Sequence, residues 1–270
     1  MKIIGSVKED LNIEKRISIT PETVKKFVDL NFSVFIEKNY GSHLGISDKE
    51  YVDQGANFKN SAKEVLEKIE MILKVNYPSG QEANFIKEKS ILIGQFDPIV
   101  NKEEIAKLTK KNIKTFSLNL LPRITRAQSM DVLSSQANLA GYRAVIESVE
   151  KFDKAIPMMM TAAGTITPAK VLVIGAGVAG LQAIATAKRL GGIVSATDVR
   201  TTAKEQVESL GGKFLSVDSA ENLETKSGYA KEAGEDFKKK QAELLRNSII
   251  KNDIVICTAL IPGQKAPRII

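Results

Sequence analysis

The sequence has little of the chemistry on which many enzymes depend. Among its 270 residues there is one cysteine, Cys257, and one histidine, His43. A lone cysteine excludes an intramolecular disulfide and is typical of a reducing compartment. One histidine and one cysteine also exclude a metal site built from these two residue types, and they give little support to Ser-His-Asp catalysis. We interpret His43 as a loop or packing residue and Cys257, within the apolar run 254–260, as a core residue.

Aromatic residues are also scarce, at 6% of the chain. The net charge is +7, but the basic residues are scattered among acidic ones, as in EDFKKK at residues 235–240. Binding to single-stranded nucleic acid needs basic residues interleaved with aromatic ones, and the sequence has no such pattern. We therefore expect no nucleic-acid partner. The positive surplus favours anionic nucleotides or an acidic protein surface.

No stretch of the chain is long enough to predict a transmembrane helix. Residues 171–187 form the most apolar run, but this run is short for a bilayer and contains a glycine turn. The composition, with 43% hydrophobic and 26% charged residues, is that of a globular protein. A length of 270 residues allows about two domains.

The most informative stretch is residues 171–200, which read VLVIGAGVAGLQAIATAKRLGGIVSATDVR. Residues 171–174 predict a buried strand, and Gly175, Gly177 and Gly180 follow as G-x-G-x-x-G. A helical pattern then runs to about residue 190, and a second strand at 193–197 leads to Asp198. Strand, glycine turn, helix, strand and acid are the context that a dinucleotide-binding fingerprint requires. The alternative is an ordinary glycine turn with a purely structural role.

Each glycine of this motif has a separate physical role. Gly175 permits the tight turn after the strand, Gly177 lets a pyrophosphate approach the backbone, and Gly180 lets the helix pack closely on the strand. The start of the helix, at Val178 and Ala179, offers unpaired N–H groups and the positive end of the helix dipole.

The acid at the end of the second strand predicts which dinucleotide is bound. Asp198 can accept both hydrogen bonds from the adenosine ribose and repel a 2′-phosphate, which favours NAD(H) over NADP(H). Arg200 argues the other way, because a nearby arginine can accommodate that phosphate. We give Asp198 the greater weight because it holds the position at the end of the strand.

Strands alternate with helices along the whole chain, which predicts an α/β fold with parallel sheets. We expect two Rossmann-like domains, residues 1–133 and 134–270, joined by a long helix at about 135–152. Residues 218–234 predict a mobile surface loop. The second domain has four predicted strands against a usual six, so we expect it to be incomplete at its C-terminal end. The predicted strands lie at residues 2–7, 32–37, 71–75, 90–94, 113–118, 171–174, 193–197, 213–217 and 253–260, and the predicted helix N-caps are Thr20, Ser47, Ser61 and Asn101.

Several long strings give the chain a specific family resemblance. They are RITRAQSMDVLSSQANLAGYRAV at 123–145, MMMTAAGTITPAKVLVIGAGVAGLQAIATAKRLG at 158–191, ATDVR at 196–200, GYAKE at 228–232 and TALIPGQKAP at 258–267. The chain resembles the NAD(H)-binding alpha subunit of proton-translocating NAD(P) transhydrogenase over nearly its whole length.

The resemblance implies direct hydride transfer between NAD(H) on this chain and NADP(H) on a partner domain. It also implies membrane proton-channel subunits that couple this transfer to proton movement, and a peripheral position at the cytoplasmic side of the inner membrane. A homodimer is implied as well. Such a reaction needs two well-placed nicotinamides and no general acid or base, which fits a sequence that is poor in histidine.

The resemblance also assigns individual residues. Arg123, Asp131 and Ser134 would hold the nicotinamide end, and Gln128 would reach the ribose of the partner's nucleotide. Without the resemblance, this polar segment would be interpreted as a linker. The loop with Gly228 and Tyr229 would close over the cofactor, and the rest of the cofactor-binding set would comprise Gly175, Gly177, Val178, Ala179, Gly180, Asp198, Val199, Arg200, Ala259 and Leu260.

Two alternatives remain open at this stage. Alanine dehydrogenases resemble the same subunit, and Arg16 and Lys74 match the substrate-binding Arg and Lys of that family. That family uses a histidine in the region that reads IGQFDP here, at residues 93–98, and this sequence has none there. The second alternative is an NAD(H)-binding module without catalytic activity.

Overall fold

The computed structural model describes residues 2–122, 124–217, 235–260, 266 and 268–270. The chain divides into two compact units, Met1–Met130 and Asp131–Ile270. Each unit is built on its own parallel sheet.

The first unit contains a six-stranded parallel sheet in the order β3-β2-β1-β4-β5-β6. This order reverses between β1 and β4, which makes the carboxyl ends of these two strands the topological switch point of the sheet. Apolar side chains alternate between the two faces, so that Ile72 packs into one core cluster and its neighbours Met71 and Leu73 pack into another. The strands are β1 Lys2–Ser6, β2 Phe32–Glu37, β3 Ala56–Lys59, β4 Met71–Leu73, β5 Ile91–Gly94 and β6 Lys114–Ser117.

The helices of this unit begin at short polar side chains. Thr20 and Ser61 each accept a hydrogen bond from a backbone N–H of the first turn, and Ser47 forms a complete capping box with Glu50. Asn101 forms no such cap, because its side-chain amide donates to the Phe96 carbonyl instead. The helices are α1 Pro21–Asp29, α2 Asp48–Val52, α3 Ala62–Leu66, α4 Gly80–Phe85 and α5 Lys102–Lys110, and 3-10 turns follow at Leu118–Leu120 and Thr125–Met130.

The second unit contains a four-stranded parallel sheet in the order β11-β10-β9-β12. Its central strand is buried on both faces, since Val171 and Val173 pack into one cluster and Leu172 and Ile174 into another. The elements are α6 Val132–Glu150, β7 Met159–Thr161, β8 Gly164–Ile166, β9 Lys170–Ile174, α7 Val178–Arg189, β10 Ile193–Thr197, α8 Ala203–Ser209, β11 Lys213–Phe214, α9 Glu235–Ile249 and β12 Ile254–Cys257.

The predicted α/β class with parallel sheets is confirmed. Besides the N-cap at Asn101, the corrections are two elements that the sequence does not predict and one misplaced side chain. Strand β3 and the antiparallel hairpin β7–β8 are not predicted from the sequence. Cys257 does not lie in the core, because it is the exposed last residue of β12. Burial is nevertheless enough to raise the pKa of its thiol, which makes it a poor nucleophile. Within the described residues, no helix combines the length and the apolar character needed to cross a bilayer.

Candidate functional site

The turn between β9 and α7 contains three glycines, each in a different environment. Gly175 has a φ of +94°, in the left-handed region that favours glycine. A Cβ on Gly180 would lie 1.8 Å from the carbonyl oxygen of Gly175, so only glycine permits this packing of helix against strand. A Cβ on Gly177 would have no heavy atom within 4 Å. Gly177 therefore borders open space, at the point where the helix begins.

Helix α7 begins without a capping side chain. Its N-cap residue is Gly177, and the first intrahelical hydrogen bond runs from the Leu181 N–H to the Gly177 carbonyl at 2.8 Å. The N–H groups of the first turn, from Val178 to Gly180, precede this bond and have no acceptor within the helix. Together with the helix dipole, they make this end of α7 attractive to an anion.

Thr258, just after β12, holds the glycine turn against the neighbouring strand. Its N–H donates to the Ile174 carbonyl at 2.9 Å, and its hydroxyl donates to the Gly175 carbonyl at 2.8 Å. The order of the sheet reverses between β9 and β12, so this turn lies at the switch point of the second sheet. The sequence alone does not single out Thr258, and only the pairing of β12 with β9 reveals its role.

Asp198 follows β10 and joins the end of that strand to the glycine turn. One carboxylate oxygen accepts the Ala176 N–H at 2.7 Å. Arg200 binds both oxygens through its guanidinium, with two contacts of 2.9 Å, and its backbone N–H adds a third at 2.9 Å. Burial acts most strongly on this carboxyl and favours a raised pKa, but the hydrogen bonds from Arg200 and Ala176 together lower the pKa below its ordinary value. Asp198 is thus held ionised and paired.

The N-terminus of α6 is capped by two of the predicted site residues. One oxygen of Asp131 accepts the Ser134 N–H at 2.9 Å, and the other accepts the Ser134 hydroxyl at 2.6 Å. Both side chains are half-buried. The arrangement is a helix N-cap, and the D-x-x-S spacing that carries the family resemblance is also the spacing of such a cap.

The remaining predicted residues fall in several places. Gln128 is exposed in the 3-10 turn of the first unit. Val199 and Ala259 are half-buried beside Asp198 and Thr258 in the chain, and Leu260 is exposed. Three predicted residues lie outside the described residues: Arg123, Gly228 and Tyr229.

The switch point of the first sheet contains a buried ionic cluster. Lys74, directly after β4, has a side chain that is only 3% exposed, and its Nζ lies 2.9 Å from Glu82 and 3.5 Å from Glu9. Glu9 follows β1 and also accepts the Val75 N–H at 2.7 Å. Burial acts most strongly on Glu9 and raises its pKa, although Lys74 and the Val75 N–H act in the opposite direction.

Arg16, in the loop after β1, is paired in a similar way. Its guanidinium binds both carboxylate oxygens of Glu14, at 2.9 and 2.7 Å. The cationic groups of Arg16 and Lys74 are therefore both bound to carboxylates of the chain itself.

Comparisons with known proteins place nearly the whole chain in one family. The model described as "Alanine dehydrogenase/PNT, N-terminal domain" matches residues 5–140, and that of the corresponding C-terminal domain matches residues 144–270. An NAD(P) transhydrogenase alpha subunit of Rhodospirillum rubrum is 51% identical over 95% of this chain and 69% of its own length. An alanine dehydrogenase of Methanococcus maripaludis is 27% identical over 99% of this chain and 67% of its own length.

A solved structure gives the same result. The crystal structure of transhydrogenase from Sinorhizobium meliloti is 47% identical, with a TM-score of 0.86, over 99% of this chain and 72% of that one. Similarity of fold and sequence thus extends over nearly the whole described chain.

Proposed function

The chain belongs to the NAD(P) transhydrogenase alpha-subunit branch of the alanine dehydrogenase/PNT family, and on that premise we propose that it holds NAD(H) for direct hydride exchange with NADP(H) on a partner domain. Membership makes it a protein of an oxidoreductase family and implies NAD(H) binding. The hydride transfer, its partner and its coupling to proton movement are our proposal.

The observation that carries this proposal is the glycine turn at the switch point of the second sheet. Open space beside Gly177 and the uncapped first turn of α7 fit a pyrophosphate that approaches the backbone N–H groups of Val178 and Ala179. Thr258 and Gly180 keep this turn rigid, so the N–H groups are oriented before the ligand arrives. Ala259 and Leu260, which follow Thr258, would border the same crevice.

The adenosine end would be bound by Asp198, next to Val199. Its two oxygens already accept four hydrogen bonds, from Arg200 and Ala176. For the ribose hydroxyls to donate to the same oxygens, the Arg200 guanidinium has to give up at least one of its contacts. The Ala176 bond can remain, because it belongs to the turn itself. Asp198 would then repel a 2′-phosphate, in favour of NAD(H).

The nicotinamide end would be held by Asp131 and Ser134 at the start of α6, with Arg123. When bound, the nicotinamide ring of NAD(H) carries the hydride that is exchanged. The task of these side chains is to hold the ring in one orientation and to exclude water, because direct hydride transfer requires no proton transfer by the protein. Gln128, which is exposed, would reach towards the nucleotide of the partner, and Gly228 and Tyr229 would close over the cofactor.

A homodimer belongs to the same proposal, and the hairpin β7–β8 supports it. Met158, Met159, Met160 and Ile166 are each between 49% and 70% exposed, which places four large apolar side chains together on the surface of the second unit. Such a patch on a globular unit is typical of a protein interface. We propose a second copy of this chain as its occupant, and membrane proton-channel subunits at the cytoplasmic side of the inner membrane as further partners of the complex.

The geometry of the first unit argues against oxidation of a free amino acid. A small carboxylate substrate needs an available cation, yet Lys74, whose side chain is only 3% exposed, is already bound by Glu9 and Glu82. Displacing those carboxylates would leave them buried without their partners, which is costly.

The test is a hydride-transfer assay in three arms. In the first arm, the purified chain and NADH are mixed with NADP⁺ alone. In the second arm, an NADP(H)-binding transhydrogenase domain is added to the same mixture. In the third arm, the chain is mixed with NAD⁺ and L-alanine. We expect transfer only in the second arm, and a Gln128→Asn chain should lose far more transfer rate than NADH affinity. Alanine-dependent NADH formation would favour the dehydrogenase, and NADH binding without transfer in any arm would favour a non-catalytic module.

A further inference from the structure

Helix α6 crosses the first turn of α7 at a single glycine. Gly141 is buried, and a Cβ at this position would lie 2.0 Å from the carbonyl oxygen of Ala179 and 2.8 Å from its carbonyl carbon. Those atoms are backbone, so no side-chain rotation could relieve the overlap. Because glycine is a weak helix former, its position here indicates a packing requirement.

Contacts on both sides of Gly141 fix the same crossing. One turn earlier in α6, the Asn138 amide donates to the Gln182 side chain at 3.2 Å. One turn later, Val145 is buried in the core cluster that contains Ala176 and Ala183. The two helices therefore meet along three successive turns of α6, with the closest approach at Gly141.

The crossing joins the two ends of the proposed cofactor site. Ala179 lies in the turn of α7 assigned to the pyrophosphate, and α6 begins at the residues assigned to the nicotinamide. Ser134 and Gly141 are separated by seven residues, which is about 10 Å along a helix. A rigid helix transmits a displacement at Gly141 to its first turn.

Of the two helices, α7 is the less free to move. Its first turn is packed on the strand by Gly180, whose Cβ would lie 1.8 Å from the Gly175 carbonyl oxygen, and that carbonyl is also held by the Thr258 hydroxyl. A side chain at residue 141 would therefore displace α6 and leave the glycine turn in place.

We propose that Gly141 is a positioning residue for hydride transfer, and that its contact with Ala179 sets the spacing between the pyrophosphate turn and the nicotinamide-holding start of α6. This inference depends on the proposed function, because it assumes that Asp131 and Ser134 hold the nicotinamide. It assigns Gly141 no contact with the ligand.

The test compares NADH with ADP-ribose, which has the adenosine, pyrophosphate and second ribose but no nicotinamide. For Gly141→Ala we expect ADP-ribose affinity within about twofold of the original chain, because α7 does not move. The ratio of NADH to ADP-ribose affinity should fall at least about fivefold, and transfer to the partner's NADP⁺ should slow about 10- to 100-fold, as expected for a misplacement near 1 Å. Calorimetry gives the affinities, and Ala140→Gly, an exposed change in the same helix, is the control.

Other outcomes would overturn the inference. Equal losses for both ligands would mean that the substitution damages the glycine turn, and no change in either would mean that the crossing has no influence on the site. If thermal unfolding shows that Gly141→Ala does not fold, Asn138→Ala weakens the same crossing without a steric overlap. It should lower the affinity ratio about two- to threefold, as expected for the loss of one exposed hydrogen bond, and an unchanged ratio would reject the proposal. If the original chain itself binds ADP-ribose as tightly as NADH, the proposed nicotinamide site is wrong, whatever the variants do.

Discussion

The two sheets of this chain have the same strand order around their switch points but fill them differently. In the first sheet β3-β2-β1 adjoin β4, and in the second β11-β10-β9 adjoin β12. The two sheets differ most in the connection that follows the central strand, from β1 to α1 in the first unit and from β9 to α7 in the second. Residues 7–20 separate β1 from α1 and contain no glycine, whereas only residues 175–177, with two glycines, separate β9 from α7.

On the proposed function, this difference means that topology provides a possible site and that the local sequence decides whether a ligand can use it. At the first switch point, the longer loop brings Glu9 to Lys74, which is bound by the chain's own carboxylates. At the second, a Cβ on Gly177 would have no heavy atom within 4 Å, and the first N–H groups of α7 have no capping side chain. The rule that ligands bind at switch points therefore predicts one dinucleotide site here, at the second sheet.

The largest expected effect comes from closing the open switch point. Gly177→Val places a side chain where the pyrophosphate would approach the backbone, and NADH affinity should fall by more than about 100-fold. Stability should change by less than about 1 kcal/mol, because the new side chain meets no neighbour and glycine is only a moderate N-cap. Calorimetric titration with NADH measures the loss.

Gly80→Val is the matched control for that change. Gly80 begins α4 in the first unit, and a Cβ there would also have no neighbour within 4 Å. NADH affinity should be unchanged. Tight binding of NADH to Gly177→Val, or an equal loss of NADH affinity in Gly80→Val, would contradict the proposed difference between the two switch points.

Breaking the closed switch point should affect stability and leave binding intact. Lys74→Met leaves the carboxyl of Glu9, with a side chain only 3% exposed, without its cation, and should lower the free energy of unfolding by about 3 kcal/mol or more. Urea unfolding measures this loss. Lys63→Met, whose partner Glu67 is 3.9 Å away and half exposed, should cost less than about 0.5 kcal/mol. A large loss of NADH affinity in folded Lys74→Met would show that the first switch point contributes to the site.

Asp198→Asn tests the adenosine end with a smaller expected effect. Asparagine keeps an acceptor for the Ala176 N–H but loses the charge and one acceptor oxygen, so NADH should bind about 10- to 100-fold more weakly, with less preference over NADPH. Asp253→Asn is the control. Asp253 also accepts a backbone N–H, that of Lys170 at 2.8 Å, but this bond lies at the start of β9, at the end opposite the glycine turn. Unchanged NADH affinity in Asp198→Asn would remove Asp198 from the site.

The smallest effect is a pH dependence of opposite sign in the two units. Glu9 has a raised pKa, so the folded state binds its proton more tightly, and its contribution to stability is lost as the pH rises from about 4.5 through the folded value. Asp198 has a lowered pKa, so its contribution is lost as the pH falls from about 3.8 through the folded value. Relative to the original chain, Glu9→Gln should gain stability with rising pH and Asp198→Asn should lose it. Unfolding curves between about pH 2 and pH 7 measure both slopes, and slopes of the same sign would contradict the pairing described for the two carboxyls.

The sequence predicts the second switch point well because its geometry is local. Gly175, Gly177 and Gly180 are separated by at most two residues, and the backbone around Gly175 and Gly180 has requirements that only glycine meets without strain or overlap. Strand β3 is hard to predict because ANFK alternates apolar and polar residues over only four positions and contains no β-branched residue. The hairpin β7–β8 is equally hard to predict, since its residues are exposed and bury no periodic face.

Interactions between distant residues cannot be predicted from spacing. Gly141 meets Ala179 across 38 positions of the chain, and Thr258 reaches Gly175 across 83. Lys74 and Glu9 are joined only through the order of the strands. The sequence predicts Asp198 as a ribose acceptor, but its pairing with Arg200 depends on the conformation of the turn after β10.

The helix N-caps show the same limit on a smaller scale. Thr20, Ser47 and Ser61 cap as predicted, because the acceptor and the N–H that it meets lie within three residues of each other. Asn101 does not, because the carbonyl of Phe96 competes for its side chain. A competing partner of this kind becomes visible only in the folded loop.

The central claim is that one of two switch points binds the dinucleotide, and a crystal structure of the chain with NADH tests it most directly. We predict difference density for the pyrophosphate against the N–H groups of Val178 and Ala179, with the adenosine ribose at Asp198 and the carboxyl ends of β1 and β4 unchanged. Density for the dinucleotide between β1 and β4, with Lys74 released from Glu82, would contradict the account.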